Sequence, residues 1–381
     1  RDGPTSNCPQ HGNRNPNLTA AAMQSIRHIE KLEKGRQIAD TCVHFGFCTA
    51  VCPTYVLDGE ENDSPRGRIA LIKEMLTRGG KPDPMTIKHV DRCLSCLSCA
   101  TTCAAGVDYR SLVDTAREYI ESSGVRPISE RAMRKALAYV MTSPRLLRWS
   151  MRIARPLNGV VGRLPGAMGA LGRLSSARGL DALAERGLKE KSVNLPEPAS
   201  PIRSVSLLDG CAQSVIGREI NDSARRLLRR LNVRVVDSGV GGACCGALNL
   251  HLGYERKAAQ QAAVLVDRWN DLLESKEIDA IIITTSGCGS VIRHYRELFK
   301  NDPIRLERAI RVESASLDIT QFLAQFDLPT SNDHLGARIA YHDSCSLKHG
   351  QKITSEPRTI LKKSGFTVID IAESHLCCGS A

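Results

Sequence analysis

Aromatic side chains are scarce in this chain of 381 residues, where Phe, Trp and Tyr together make up 4%. Proteins that bind single-stranded nucleic acid stack bases on such side chains, so we expect no nucleic-acid partner. No stretch approaches eighteen consecutive apolar residues, and no charged and then apolar leader begins the chain. These absences predict neither a transmembrane helix nor a secretion signal, and therefore a cytoplasmic protein.

Motifs for nucleotide cofactors are missing as well. The glycines at 239, 241 and 242 lack the further glycine of a dinucleotide fingerprint, because Cys244 stands at that position. The chain also contains no phosphate-loop lysine motif. We therefore expect no flavin and no nicotinamide cofactor on this chain.

Acidic residues are missing from segment 131–180, which has ten Lys and Arg and carries +10 of the chain's net charge of +11. Between residues 145 and 155, arginines alternate with apolar residues, as in helices that lie at a membrane interface. Such a segment is typical of a solvated linker, of docking to acidic partner subunits, or of binding to the inner face of the cytoplasmic membrane. The sequence leaves these three interpretations open.

Cysteine, by contrast, is abundant, with fifteen residues that mostly stand in tight clusters. In a small secreted domain such a number would predict disulfides, but this chain is long and has no secretion signal. Clustered cysteines in a reduced compartment are typical of metal binding. We therefore expect the clusters to hold metal ions, and we treat the isolated Cys8 as incidental.

One run, Cys93-x2-Cys96-x2-Cys99-x3-Cys103, has the full spacing of bacterial ferredoxins. In that motif three thiolates bind one iron–sulfur cluster and the fourth reaches a neighbouring cluster. Zinc sites usually pair two C-x2-C knuckles that lie farther apart, so zinc is the less favoured alternative. With this exchange of ligands we predict a complete 4Fe–4S site, named here the four-thiol site. Its ligands are Cys93, Cys96, Cys99 and Cys52.

An earlier run has the same pattern, except that Phe45 stands at its second cysteine position. The neighbouring site is therefore named the three-thiol site and consists of Cys42, Cys48 and Cys103. An apolar residue at this position resembles the three-iron motif in the iron–sulfur subunits of succinate dehydrogenase and fumarate reductase. Three thiolates cannot supply the four ligands of a 4Fe–4S cluster. We expect either a 3Fe–4S cluster or a labile or absent one.

The pattern along the chain divides it into five regions. Residues 1–17 are polar and rich in Pro, Asn and Gly, which predicts a disordered tail. Residues 18–110 are predicted to form a helical two-cluster ferredoxin-like domain, and residues 111–200 a helical and basic linker. Residues 201–335 and 336–381 are predicted to form two cysteine-rich domains, of which the second is truncated.

Within the ferredoxin-like region, a serine and a proline at 64–65 predict the start of a helix. Arg66 and Arg68 follow on this helix. A solvated helix face is the favoured interpretation for both arginines. The alternative is that they stabilise the added negative charge of a reduced cluster.

From residue 202 onward, short β-branched runs alternate with helical patterns. This alternation predicts α/β domains with a mainly parallel sheet. The predicted strands are 205–208, 233–236, 280–284, 339–341 and 368–371, and the predicted helices include 218–230 and 255–274.

The same region contains a repeat, in which a lone cysteine after a strand is followed about thirty residues later by Cys-Cys-Gly. Four thiols form the first repeat site: Cys211, Cys244, Cys245 and Cys288. Three thiols form the second repeat site: Cys345, Cys377 and Cys378. Ligands of open α/β sheets gather at the carboxyl ends of strands, so we expect each set to converge. The first set predicts a further cluster, with buried thiols or zinc as alternatives, and the second is an incomplete site.

These motifs resemble those of the iron–sulfur subunit of bacterial glycolate oxidase, also called glycolate dehydrogenase. The similarity covers nearly the whole chain from about Met23, and the spacings between the motifs match too. The resemblance lies in the stretches 42–55, 64–69, 91–96, 208–213, 244–247, 285–289 and 374–381.

The resemblance implies an electron-transfer subunit without catalytic residues of its own. Flavin-containing partner subunits would oxidise glycolate to glyoxylate, and electrons would leave through the clusters of this chain towards a quinone or another membrane acceptor. Lactate-utilisation subunits and the anaerobic glycerol-3-phosphate dehydrogenase subunit share the architecture and are alternatives. Heterodisulfide reductase is another, and would make this chain catalytic, but it requires a cysteine where Thr285 stands. A zinc-stabilised scaffold is the non-enzymatic alternative.

The chain departs from the family pattern at two places. Phe45 replaces a cysteine, and the family continues beyond the second Cys-Cys-Gly to a further Gly-Cys motif, whereas this sequence stops at Ala381. The chain also starts at Arg1 rather than at methionine. We therefore expect a fragment or an imperfect gene model.

Overall fold

The structure is a computed structural model that describes residues 20–154, 197–328 and 335–379. The predicted tail 1–17, with Cys8, lies outside the described residues. So does much of the predicted linker, residues 155–196, and with it part of the basic segment.

Residues 20–122 form helices joined by loops and turns, as the sequence predicts. A short 3-10 helix, Glu61–Asp63, precedes the third helix. The helices are α1 (Ala20–Asp40), α2 (Pro53–Asp58), α3 (Pro65–Arg78), α4 (Pro84–Asp91), α5 (Ser98–Thr102) and α6 (Tyr109–Ser122). Their apolar faces form one core, in which Ile72, Leu112 and Ile120 are fully buried. Cys99 belongs to this core, and Cys42, Cys48, Cys93 and Cys103 pack against it.

Helix α3 begins where the sequence predicts. Ser64 is its N-cap and accepts a hydrogen bond from the Gly67 amide over 3.0 Å, while Pro65 occupies the first turn. A Cβ atom at Gly67 would lie 2.0 Å from the carbonyl oxygen of Glu61, so only glycine lets the chain turn back this closely.

Two further helices, α7 (Ile128–Met141) and α8 (Pro144–Ala154), lead out of the N-terminal part. Leu147 anchors α8, because its side chain is buried on the inner face of the helix. No helix within the described ranges is both long enough and apolar enough to span a bilayer.

A parallel sheet follows, with the strand order β2-β1-β3-β4. Its strands are β1 (Arg203–Leu207), β2 (Val233–Val236), β3 (Ala280–Ile283) and β4 (Ser316–Asp318). The helices are α9 (Gln213–Ile216), α10 (Arg218–Arg230), α11 (Ala247–His251), α12 (Glu255–Glu274), α13 (Ser286–Ile292), α14 (Tyr295–Phe299), α15 (Pro303–Ala315) and α16 (Ile319–Leu323).

Both faces of this sheet are covered, which explains the continuous apolar run of β3. Ile281 and Ile283 pack into one core with Trp269 of α12, whereas Ile282 packs into a second core with Leu228 of α10. The predicted strands and both predicted helices are confirmed here. Strand β4 was not predicted.

A second, two-stranded parallel sheet pairs β5 (Arg338–Tyr341) with β6 (Thr367–Asp370). Its helices are α17 (Cys345–Lys348) and α18 (Glu356–Lys363). This unit packs against the first sheet through α13 and α17. The approach is close, since a Cβ atom at Gly289 would lie 2.7 Å from Oε1 of Gln351. Helical and parallel α/β parts together confirm the predicted mixed fold class.

The helical N-terminal part packs directly against the sheet-containing part. Arg110 of α6 donates to the carbonyl oxygen of Ser290 over 3.0 Å. The Thr101 hydroxyl lies 2.7 Å from Nδ1 of His349. At Gly253, which has a φ of 84°, a Cβ atom would lie only 2.5 Å from the carbonyl oxygen of Arg117. These contacts hold the thiols of the two parts in one body.

Candidate iron–sulfur sites

The four thiols of the four-thiol site line one cavity beside Arg68 and Tyr109. Cys52 precedes α2, Cys93 and Cys96 lie between α4 and α5, and Cys99 lies in the first turn of α5. That second segment is tightly coiled, because Ser95 and Leu97 adopt left-handed backbone conformations with φ values of 51° and 61°. The structure therefore brings together the set that the sequence predicts.

Hydrogen bonds fix the coiled segment from α6. The Tyr109 hydroxyl donates to Sγ of Cys93 over 3.7 Å. The buried Arg117 donates to the carbonyl oxygen of Cys93 and to the Ser95 hydroxyl, each over 2.6 Å. The orientation of these thiols is thus determined by a neighbouring helix as well as by the motif.

Burial disfavours the thiolate form of two of these residues, Cys96 and Cys99. It raises the pKa of Cys96 to about 12, and it raises the pKa of Cys99 well above the usual range, with the nearby Cys93 and Cys96 adding to the effect. A bound metal reverses this balance, since a coordinated thiol loses its proton. Crowded thiols that face one cavity, two of them buried, are a donor set that fits an iron–sulfur cluster.

The three-thiol site forms a second cavity, lined by Cys42, Cys48 and Cys103. Cys99 and Tyr109 line both cavities, so the two sites are direct neighbours. Phe45 lies at the rim: its side chain is 62% exposed and stacks on Phe47 with ring centroids 6.1 Å apart. No further thiol lines this cavity in the described parts of the chain apart from the shared Cys99.

The first repeat site lies at the carboxyl ends of β2, β1 and β3, three neighbouring strands. Its thiols form a chain of contacts from Cys211 to Cys244, then to the adjacent Cys245 and on to Cys288. The hydrogen bond with Cys244, together with burial, raises the pKa of Cys211. The predicted convergence of these four cysteines is therefore observed. The strand order reverses between β1 and β3, which is where open α/β sheets bind ligands.

The glycine of Cys-Cys-Gly has its own structural reason. Gly246 has a φ of 87°, and a Cβ atom there would lie 2.7 Å from the carbonyl oxygen of Ala258. Its amide donates to Sγ of Cys244 over 3.4 Å. Gly379 has a similar left-handed φ of 78° in the second repeat. Both repeats thus use the glycine to turn the chain directly after the paired thiols.

The second repeat site brings Cys345, at the start of α17, next to Cys377, which follows β6. Burial, followed by the hydrogen bond to Cys377, raises the pKa of Cys345 to about 12. Cys96 of the four-thiol site is near enough to add to this shift. The second repeat site therefore adjoins the N-terminal helical part.

No disulfide joins the cysteines within the described ranges. In the same ranges, no group of three or more His, Cys, Asp or Glu side chains is arranged as the ligands of a single metal ion. An iron–sulfur cluster instead spreads its thiolates over several iron ions.

Arg68 lies at the four-thiol site, where its position differs from the sequence-based prediction. Its side chain is 1% exposed and lines the cavity of the four-thiol site, so the predicted solvated position is wrong. The sequence did contain evidence of this burial. Position 68 lies four residues before Ile72, which places it on the buried face of α3. Arg66, by contrast, is partly exposed and pairs with Glu61 at 2.6 Å.

Comparison with known families agrees with these sites. Residues 38–107 match the 4Fe-4S dicluster domain. Residues 205–293 and 339–381 match the cysteine-rich domain. These segments contain all the thiols of the four sites described above. The predicted iron–sulfur and cysteine-rich character of the chain is thereby confirmed.

Whole-chain relatives support the same family. The glycolate oxidase iron-sulfur subunit of Escherichia coli (strain K12) is 35% identical over 96% of this chain and 84% of its own length. The probable glycolate oxidase iron-sulfur subunit of Bacillus subtilis (strain 168) is 29% identical over 92% of this chain and 80% of its own. Lactate utilization protein A 2 of Bacillus cereus (strain Q1) is 27% identical over 46% of this chain and 71% of its own. No solved structure matches significantly. This chain belongs to the family of glycolate oxidase iron–sulfur subunits.

Proposed function

We propose that this chain is the electron-transfer subunit of a flavin-dependent glycolate dehydrogenase. The observation that carries the proposal is the four-thiol site, where four cysteines from two distant segments line one cavity. Iron–sulfur clusters supply one-electron transfer when they are bound. The residues of this chain hold the clusters, exclude water from them and position them relative to one another.

The ligand assignment follows the four sets of thiols. The four-thiol site is proposed to hold a 4Fe–4S cluster, and the three-thiol site a 3Fe–4S cluster. The first repeat site is proposed to hold a further cluster through its four thiols. The second repeat site has three thiols among the described residues and is proposed as an incomplete site. Zinc is the alternative metal for the repeat sites.

Glycolate oxidation is proposed to take place on flavin-containing partner subunits, from which electrons pass through this chain to a quinone or another membrane acceptor. The names of the two long relatives support glycolate, and the shorter match to a lactate utilization protein makes lactate the second candidate substrate. No residue of this chain is proposed to bind either acid.

Anaerobic reduction experiments test this division of labour. Glycolate should reduce the clusters only when the flavin subunits are present, whereas dithionite should reduce them in the isolated chain. Electron paramagnetic resonance (EPR) measures the reduced clusters directly. Reduction of the isolated chain by glycolate would contradict the proposal, and faster reduction of the complex by lactate would favour the second substrate.

We further propose that the chain works at the cytoplasmic face of the membrane, bound there through α8. Leu147 lies on the inner face of this helix, whereas Trp149 is 62% and Ile153 60% exposed. Arg148 and Arg152, one turn apart, are exposed beside them, as is Arg145. An outer face that combines arginines, tryptophan and isoleucine without any acid fits an anionic lipid surface, where the indole ring of Trp149 can lie among the headgroups.

Co-sedimentation with vesicles tests the membrane proposal. The chain should bind phosphatidylglycerol vesicles and not phosphatidylcholine vesicles, and added salt should weaken the binding. The double variant Arg148→Gln/Arg152→Gln should bind several-fold less. Arg218→Gln/Arg230→Gln, which removes two exposed charges from α10, is the matched control and should bind normally. Equal loss in both variants, or binding to acidic partner subunits alone, would contradict a role for α8 at the membrane.

A further inference from the structure

Arg68 is a buried cation in direct contact with a cluster thiol. Its Nη1 donates to Sγ of Cys52 over 3.8 Å, and its side chain is 1% exposed. We propose that Arg68 raises the reduction potential of the cluster in the four-thiol site and is a positioning residue for electron transfer. This inference rests on the ligand assignment of the proposed function.

Three hydrogen bonds fix the guanidinium in this place. Nε donates to the carbonyl oxygen of His89 over 2.6 Å, and Nη2 donates to the Thr54 hydroxyl and to Oδ1 of Asp63, each over 3.0 Å. Only Nη1 is left to face the thiol. A planar, forked group held in this way cannot turn away when the charge of the cluster changes.

Two carboxylates offset the two guanidinium groups around this site, since Arg92 also lies 3.8 Å from Asp58. Arg68 is therefore distinguished by its direct contact with the Cys52 thiol and not by a net positive charge. Asp63 is fully buried, and its second oxygen accepts a hydrogen bond from Arg92 over 2.7 Å. Nδ1 of His89 lies 3.0 Å from the first oxygen. One carboxylate is thus shared by two guanidinium groups. Its role is to hold Arg68 in the interior, where a lone cation would be costly to bury.

Reduction adds one negative charge to a cluster and its thiolates. A fixed cation a few ångströms away favours the reduced form, and more strongly in a buried site than in water. Hydrogen bonds to the ligand sulfurs act in the same direction, and both are known determinants of cluster potential. Arginine stays protonated at all physiological pH values, so its effect is constant.

Redox titration followed by EPR tests this role in the full chain. In Arg68→Met, the reduced-to-oxidised ratio of the 4Fe–4S signal at a fixed ambient potential should fall about tenfold, which corresponds to about 59 mV for one electron. In Asp63→Asn, which removes the compensating anion, the same ratio should rise. Arg68→Lys keeps the charge without the fork, and should shift the ratio less than Arg68→Met does.

The two substitutions should shift the reduction potential in opposite directions, and this distinguishes an electrostatic role from a structural one. Both Arg68→Met and Asp63→Asn are expected to destabilise the fold, so a merely structural role would move the two potentials in the same direction or in neither. Either of those results would overturn the proposal. If Arg68→Met does not fold, Asp63→Asn and Arg68→Lys still give the sign and the size of the shift.

Arg78→Met is the matched control, because Arg78 lies on the same helix with its side chain 76% exposed. The 4Fe–4S signal of Arg78→Met should have the same reduction potential as in the wild type. A shift in Arg78→Met equal to that in Arg68→Met would overturn the proposal. The signal of the three-thiol site should also be unchanged in all variants. Absence of any 4Fe–4S signal in the wild type would instead overturn the ligand assignment of the proposed function.

Discussion

At the residue scale, the proposed 3Fe–4S assignment of the three-thiol site depends on position 45. Phe45 stands between Cys42 and Cys48, on a loop in which His44 and Gly46 adopt left-handed conformations with φ values of 58° and 85°. The ring is mostly exposed and does not fill the cavity behind it. This geometry supports the proposal that Cys42, Cys48 and Cys103 hold a cluster with one iron fewer.

Replacing Phe45 by cysteine should restore a fourth ligand. In the oxidised wild type we expect the EPR signal of a 3Fe–4S cluster. In Phe45→Cys this signal should disappear, and the iron content should rise by about one ion per chain, as for a 4Fe–4S cluster with four thiolates. EPR together with iron analysis measures both changes.

Phe47→Cys is the control for this prediction, because Phe47 is as exposed as Phe45, stacks on it and lies only two residues away. It adds a thiol outside the motif position and should leave the three-iron signal unchanged. Loss of the signal in both variants, or in neither, would contradict the assignment of the three-thiol site.

At the scale of helices and strands, the sequence was informative wherever local rules apply. Helices α10 and α12 have the predicted limits, because their apolar periodicity is strong. The start of α3 was predicted from its cap. Strand β4 was missed because it has three residues and one apolar side chain, Leu317, so nothing in its sequence distinguishes it from a loop. Residues 316–318 form a strand because they pair with the neighbouring β3.

The cap of α3 offers a test at this scale. Ser64→Ala removes the acceptor of the Gly67 amide at a fully buried position, and should lower the free energy of unfolding by about 1 kcal/mol. Urea denaturation measures the change. Ser64→Thr, which keeps the hydroxyl, should recover most of the loss.

Ser355→Ala is the matched control, since Ser355 begins α18 without a side-chain cap bond to the helix. Ser355→Ala should lower the free energy of unfolding by less than about 0.5 kcal/mol. Equal costs at the two serines would mean that the cap of α3 does not contribute to stability.

At the scale of the whole molecule, the groups of converging cysteines were predictable from the sequence, and the contacts around them were not. Motif spacing fixes which cysteines share a turn, and repeated spacing revealed the two repeat sites. The packing of the helical part on the sheets depends on residues far apart in the chain, such as Arg110 and Ser290, and no local pattern marks them. The burial of Arg68 could be predicted from its helical spacing, but its contact with Cys52 could not. The predicted domain limits stay predictions.

Gly253 connects the two parts of the molecule and predicts a long-range effect. In Gly253→Ala the added Cβ atom would push against the carbonyl oxygen of Arg117, whose guanidinium holds the turn at Cys93. Together with its left-handed φ, this should cost about 1–3 kcal/mol. Amide hydrogen exchange should become faster in residues 93–96, on the other side of the contact.

Gly124→Ala controls for backbone strain alone. Gly124 has a φ of 68° but no atom within 4 Å of its would-be Cβ, so its cost should be about 1 kcal/mol. Exchange in residues 93–96 should not change in this variant. Faster exchange in both variants, or in neither, would contradict the link between Gly253 and the four-thiol site.

The most direct test of the central claim is metal and sulfide analysis of the protein purified without oxygen. We predict a brown protein that contains iron together with acid-labile sulfide, and that gives a 4Fe–4S signal by EPR after reduction with dithionite. Zinc without sulfide would contradict the account, because the same thiols would then hold single metal ions that cannot carry electrons.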